Sequence, residues 1–159
     1  MKKTLLIITM LVASLSAQAQ FEKGKKYVNA SLASAGLSYS DYTKFALGFS
    51  AEAGYFIDDD WMALAEVGFD YRNSNVQQVY VGAKGRYYIE QNGLFLGAGA
   101  RLLHEYKGHN DFQLNPEVGY CFFVNKHLTI EPVVYFDMSL SDFSHNSKVG
   151  LKFGLGYYF

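Results

Sequence analysis

The sequence predicts an all-β domain of eight antiparallel strands, arranged as an up-and-down barrel behind an N-terminal signal peptide. Three observations support this prediction: the composition, a repeat of about 34 residues, and an alternation of side-chain types within each repeat. Of 159 residues, 50% are hydrophobic and 17% are aromatic, with 15 Gly and only 2 Pro. An apolar chain of this length, rich in aromatic residues and glycine, is typical of one β domain.

The composition also excludes several classes of protein. Charged residues make up 18% of the chain and the net charge is −1, which argues against a disordered chain and against a nucleic-acid binder. Four His and one Cys leave little material for a structural zinc site or a disulfide framework, so no metal or other cofactor is expected. Cys121 is predicted to be a buried, unreactive thiol.

The N-terminal segment has the three parts of a secretory signal peptide. Lys2 and Lys3 precede an apolar run from Leu5 to Leu15, and the small residues Ala17 and Ala19 follow. The apolar run is too short for a helix that crosses a bilayer. We therefore expect a signal peptide at 1–19 and a barrel domain at 20–159.

A pair of aromatic residues, of which the first is Tyr, recurs along the rest of the chain and divides it into four units. The Tyr residues are Tyr55, Tyr87, Tyr120 and Tyr157. The first three units are each followed by a short polar turn: Asp58-Asp59-Asp60, Gln91-Asn92-Gly93 and Asn125-Lys126-His127. Longer polar stretches split the units: Leu37 to Thr43, Asn73 to Gln77, Tyr106 to Asp111 and Ser141 to Ser147. Two strands per unit give eight.

Each predicted strand lies between one short turn and one long polar stretch. The predicted strands cover residues 27–36, 44–57, 61–72, 78–90, 94–105, 112–124, 128–140 and 148–159. From the second strand onward, one phase of the alternation carries no charge. It consists of every second residue from Phe45 to Tyr55, Trp61 to Tyr71, Val79 to Ile89, Leu94 to Leu102, Phe112 to Val124, Ile130 to Met138 and Val149 to Phe159. Pro116 and Pro132 each remove a donor from the ladder, so each predicts a bulge or a strand end.

The opposite phase holds both the charges and the glycines. Its charged members are Glu52, Glu66, Asp70, Arg72, Lys84, Arg86, Arg101, Glu105, Glu117, Glu131, Asp137, Lys148 and Lys152. Its glycines are Gly48, Gly54, Gly68, Gly82, Gly97, Gly99, Gly119, Gly150, Gly154 and Gly156.

A soluble barrel turns its apolar phase inward and its charged phase outward, whereas a membrane barrel does the reverse. Three features decide between these two arrangements. The lumen of an eight-stranded barrel is too narrow for the apolar phase with its many rings. Inward glycines make room for long neighbours such as Arg86 and Arg101, whereas outward glycines only weaken strands. Acids and bases in nearly equal number can pair inside. The sequence therefore predicts a transmembrane barrel with a charged lumen, and Tyr55, Trp61, Tyr87, Tyr120 and Tyr157 as an interfacial girdle.

These features resemble the small eight-stranded outer-membrane β-barrels of Gram-negative bacteria, the OmpA/OmpX-like family. The matching features are the signal peptide, the four hairpins, the Gly-Tyr strand ends and the terminal Gly-Leu-Gly-Tyr-Tyr-Phe. The resemblance implies a location in the bacterial outer membrane, outer-membrane lipid as a partner, and long loops that face outward. It also implies that Leu155, Tyr157 and Phe159 form the signal read by the barrel-assembly machinery.

The first functional hypothesis is a non-enzymatic barrel with a structural role or a surface-interaction role through its loops. Its lumen would be closed by an ion-paired network of Glu52, Glu66, Asp70, Lys84, Arg86, Arg101, Glu117, Glu131, Asp137 and Lys152. Exposed loop aromatics would suit an extracellular ligand: Tyr39, Tyr42, Tyr106 and Phe143.

Two other functions remain open from the sequence. A small porin-like pore would use the same charged lumen as a water path. An enzyme that deacylates outer-leaflet lipid would use His145 and Ser147, a base and a hydroxyl two residues apart, although no acidic residue follows Asp142. A zinc site at His104, His109 and His145 is a weaker possibility, because these residues lack ligand spacing.

Overall fold

A computed structural model of the chain describes residues 21–34, 47–72, 75–90, 92–106, 108, 110–141 and 147–159. The predicted signal peptide at 1–19 lies outside these residues. Within them, ten strands form one antiparallel sheet. The strands are β1 (Lys26–Ser34), β2 (Leu47–Asp58), β3 (Trp61–Arg72), β4 (Asn75–Tyr88), β5 (Leu94–Glu105), β6 (Asn110–Leu114), β7 (Glu117–Tyr120), β8 (Phe122–Phe123), β9 (Leu128–Ser139) and β10 (Lys148–Tyr158).

The sheet closes into a barrel of eight passages. Strands β6, β7 and β8 follow one another along a single path between β5 and β9, and we call this path the sixth passage. The last strand, β10, pairs with both β9 and β1, and β1 pairs in turn with β2. Among the described strands this closure leaves no free sheet edge, which is the condition for a sheet to cross a bilayer.

The predicted strand positions agree with the structure except at three places. The third and fifth predicted strands, 61–72 and 94–105, match β3 and β5. β4 begins at Asn75, inside a stretch predicted as a loop, because Asn75 pairs with Arg72 and continues the ladder. β6 begins at Asn110, which shortens the predicted loop at 106–111, and the sixth strand is divided into three. The predicted loop at 37–43 and residues 142–146 lie outside the described ranges.

Neither proline shifts the register of the ladder, and only Pro116 lies at a break between strands. Pro116 lies between β6 and β7, and the pairs Ala100 with Leu114 and Gly97 with Glu117 keep one register on either side. Pro116 therefore marks a strand end. Pro132 lies inside β9 and pairs with Phe153 in continuous register, so the prediction of a bulge or strand end is wrong for this residue. The neighbouring sixth passage is interrupted close to it, between β7 and β8.

The short turns lie at one end of the barrel, the turn end, and the longer connections lie at the other, the loop end. At the turn end Asp60 has a φ of 64° and Gly93 a φ of 92°, a conformation that suits glycine and is tolerated by Asp. Partial burial and the neighbouring Asp59 carboxylate raise the pKa of Asp60 above its usual range.

The outer wall is apolar around the barrel. Leu32, Val67, Val81, Leu102 and Phe153 are each more than half exposed. At the turn end Tyr55, Trp61, Tyr87 and Tyr157 also face outward, as the predicted girdle requires, and Tyr120 is half-buried. In the described ranges, no helix is long and apolar enough to cross a membrane.

Candidate functional site

The lumen is the candidate site, and an aromatic layer fills it at the turn end. The layer consists of Phe21, Tyr27, Phe56, Met62, Tyr88, Phe95, Cys121, Phe123 and Tyr158. It includes the second ring of three predicted aromatic pairs, because alternation turns one ring outward and the next inward. In the third unit the inward position holds Cys121, which is buried as predicted.

Phe21 occupies the centre of the aromatic layer although it precedes the first strand. Its ring stacks on Tyr88 with centroids 4.1 Å apart and lies 5.9 Å from the ring of Tyr158. Its carbonyl accepts the Asp60 N–H at 2.9 Å, and the Lys23 N–H donates to Asp59 Oδ1 at 2.9 Å. The residues before β1 are thus tied to the β2–β3 turn and hold Phe21 in the barrel mouth.

A charge layer lies next to the aromatic layer, and Arg86 is its central cation. Arg86 Nη2 lies 2.6 Å from Glu52 Oε2, and Arg86 Nε lies 2.6 Å from Glu117 Oε1. Arg86 Nη1 lies 3.4 Å from Glu131 Oε2, which also accepts the Tyr27 hydroxyl at 2.6 Å. One guanidinium therefore contacts carboxylates from β2, the sixth passage and β9, all away from water.

Two lysines complete the charge layer. Lys84 Nζ lies 3.1 Å from both Glu52 and Glu117, and it also contacts Glu66. Lys152 Nζ lies 2.8 Å from Glu52 and 3.2 Å from Glu117. Glu52 and Glu117 are thus shared by three cations, which offsets the cost of burying their charges.

A second polar cluster, the loop-end cluster, surrounds Arg101. Its guanidinium is buried, lies 2.5 Å from the Asp137 carboxylate, and places its Cζ 4.4 Å from the centroid of the Tyr80 ring. Arg101 Nε also donates to Gln113 Oε1 at 2.9 Å. Gln113 in turn donates to Asp111, which accepts the Ser139 hydroxyl at 3.0 Å.

Several inward glycines face the long side chains of neighbouring strands. A Cβ at Gly82 would lie 2.7 Å from Arg101 Cβ, and one at Gly97 would lie 2.6 Å from Glu117 Cγ. A Cβ at Gly99 would meet Lys84. These glycines provide the room that the charged residues need, as the sequence predicts for Arg101.

The structure brings nine of the ten predicted lumen residues into buried positions with ionic contacts, and Asp70 is half-buried on β3. The side chains of Arg72 and Lys148, which also belong to the charged phase, lie outside the described part. The sequence did not indicate Asp111 as a lumen residue, because it placed Asp111 in a loop. It also missed the aromatic layer, although the inward parity of Phe56 and Tyr88 was a usable signal.

The remaining candidate residues lie away from the lumen. Leu155, Tyr157 and Phe159 face outward at the end of the chain. His109 and His145, from the zinc and deacylase hypotheses, lie outside the described residues. Within those residues no group of three potential metal ligands occurs.

Comparison with known proteins identifies the fold. No protein-family model and no curated protein sequence matches the chain. The chain is similar to the N-terminal β-barrel domain of OprF from Pseudomonas aeruginosa, with a TM-score of 0.68 and 12% identity over 86% of this chain and 98% of that one. It is similar to the outer membrane protein Ail of Yersinia pestis in a nanodisc, with a TM-score of 0.56 and 14% identity over 86% and 100%.

A third similar structure is the Neisserial surface protein A, with a TM-score of 0.56 and 16% identity over 85% of this chain and 96% of that one. All three neighbours are small bacterial barrels of the outer membrane or cell surface. The chain therefore has the fold of the small outer-membrane β-barrels, as its sequence resemblance implies.

Proposed function

We propose that this chain is an integral outer-membrane β-barrel whose lumen is closed to solutes and which acts without catalysis. Its role is structural, or it binds a surface partner through the loops. The observation that carries the proposal is the buried Arg86, which contacts carboxylates of three passages in the middle of the lumen. The aromatic layer supports closure independently, because it fills the same lumen at the turn end.

The outer wall supports the membrane location. Large apolar side chains on every full-length strand are exposed, which is unfavourable in water and favourable against lipid. Outer-membrane lipid is therefore the partner of the wall.

An extracellular ligand would bind at the loop end. Tyr106 follows β5 there and is 90% exposed, and exposed aromatic side chains are frequent in binding surfaces. One solved structure of Ail contains the heparin analogue sucrose octasulfate, which supports a ligand-binding role for barrels of this fold.

Assembly into the membrane would use the C-terminal strand. Leu155, Tyr157 and Phe159 alternate along one outward face at the end of the chain. This face is available to the barrel-assembly machinery before the strand is surrounded by lipid.

Conductance in a planar bilayer tests the closed lumen. We expect no steady current from the refolded protein, because the charge layer and the aromatic layer both block the water path. Steady channels of porin size would overturn the proposal. A gel run with and without heating serves as the control, since the folded barrel should migrate differently from the heated chain.

The variant Arg101→Ala distinguishes a closed barrel from the alternative, a small pore. In a closed barrel the substitution removes the contacts with Asp137 and Gln113 and lowers stability without producing current. In a pore it would change the conductance, because Arg101 would line the water path.

A further inference from the structure

A groove of about 590 Å³ lies on the outer wall near the loop end, across β2 to β5. Its floor is formed by small side chains on neighbouring strands. Val79 pairs with Phe69 on one side and with His104 on the other. One rung nearer the turn end, Val81 pairs with Val67 and Leu102.

Larger side chains form the two walls of the groove. On one side the rings of Phe49 and Phe69 contact each other, with centroids 5.7 Å apart. On the other side Leu102 and His104 follow each other along the outward face of β5. The difference in size between these residues and the valines gives the groove its depth.

The groove is apolar along its length and polar at only one end. At the loop end His104 Nδ1 lies 2.6 Å from Asn110 Oδ1, and both side chains are exposed. Because Asn110 Oδ1 contacts the imidazole, the amide Nδ2 of Asn110 is the group that can donate to a further acceptor.

We propose that this groove binds one acyl chain of an outer-leaflet lipid, with a head-group ester or phosphate oxygen at the Asn110 amide, which His104 orients. The inference rests on the proposed membrane location, since lipid is then what surrounds this wall. Its amphipathic lining matches a lipid in polarity and direction: the apolar floor runs toward the membrane interior, and the polar pair lies at the surface. The volume is within the range of sites that hold small apolar ligands.

Native mass spectrometry of the full chain tests the proposal. The protein is refolded in dimyristoylphosphatidylglycerol liposomes and extracted into a mild detergent, and the lipid molecules retained per barrel are counted. Val81→Phe fills the floor of the groove. Val134→Phe is the matched control, because Val134 is a similarly exposed outward valine on β9, away from the groove.

We expect the unmodified protein and Val134→Phe to retain one lipid per barrel, and Val81→Phe to lose about tenfold in retention. Asn110→Ala should weaken retention to a smaller extent, because it removes only the polar contact. Equal retention by the two Phe variants, or no retained lipid in the unmodified protein, would overturn the groove. A chain that shows no heat-dependent gel shift after refolding would instead contradict the proposed membrane barrel.

Discussion

At the scale of single residues, Arg86 is the buried cation that contacts both inner layers of the lumen. Its guanidinium has a contact with each of Glu52, Glu117 and Glu131, and its Cζ lies 4.5 Å from the centroid of the Phe95 ring. It therefore joins the charge layer to the aromatic layer. A buried pair contributes little against an apolar replacement of both partners, but removing one partner leaves an uncompensated charge.

Arg86→Met should therefore lower the free energy of unfolding by about 3–5 kcal/mol, because it leaves buried carboxylates without their shared cation. Urea unfolding in micelles, followed by the fluorescence of the single Trp61, measures the loss. Lys23→Met is the control: its ion pair with Asp58 spans 3.7 Å between exposed side chains, so the loss should stay below about 1 kcal/mol. If Arg86→Met cannot be refolded, Arg86→Lys should show an intermediate loss. Equal stability of Arg86→Met and Lys23→Met would contradict the central role of Arg86.

At the scale of elements, alternation predicted the strands well and the content of the lumen only in part. β3 and β5 were predictable to the residue because a polar turn precedes each of them. The aromatic layer was harder, because the inward phase was identified by its charges and glycines while the rings were assigned to the girdle. Phe21 lies before β1, where no alternation exists, so its position depends on tertiary contacts with Tyr88 and Tyr158. Asp111 was missed because it belongs to the polar stretch predicted as a loop, whereas β6 begins at Asn110 and Asp111 is buried in the lumen.

The sixth passage provides a test of how tightly the lumen is packed. A Cβ at Gly119 on β7 would meet the ring of Phe95, which is itself held between Tyr88 and Arg86. Gly119→Ala should therefore lower the free energy of unfolding by about 1–3 kcal/mol. Gly85→Ala on β4 is the matched control, because its outward Cβ would have no neighbour closer than 4.0 Å and should leave stability unchanged or slightly raised. An unchanged free energy of unfolding in Gly119→Ala, measured by the same urea titration, would show that the lumen can accommodate a methyl group.

At the scale of the whole molecule, the barrel has an apolar outside and a lumen filled in successive layers. The near-zero net charge of −1 and the mean hydropathy of −0.03 resemble those of a soluble protein, because they average an uncharged wall with a charged interior. Closure of the sheet by β1 and β10 places the first and last described strands side by side. The short segment before β1 places Phe21 in the aromatic layer at the turn end of this closed sheet, against Tyr88 and Tyr158.

The seal at the turn end can be measured with Cys121, the single cysteine of the chain. Its Sγ lies in the aromatic layer, 3.3 Å from the Tyr158 hydroxyl, and is buried. Phe21→Ala removes the central ring, so a water-soluble maleimide should label Cys121 about tenfold faster or more in the folded barrel. Phe122→Ala removes a neighbouring ring that faces outward, and labelling should not change.

The heat-dependent gel shift must persist in both variants, so that faster labelling reports an opened turn end of the barrel and not unfolding. Because the charge layer remains in Phe21→Ala, the planar bilayer should still show no steady current. An unchanged labelling rate would mean that Phe21 does not shield Cys121 from water at the turn end.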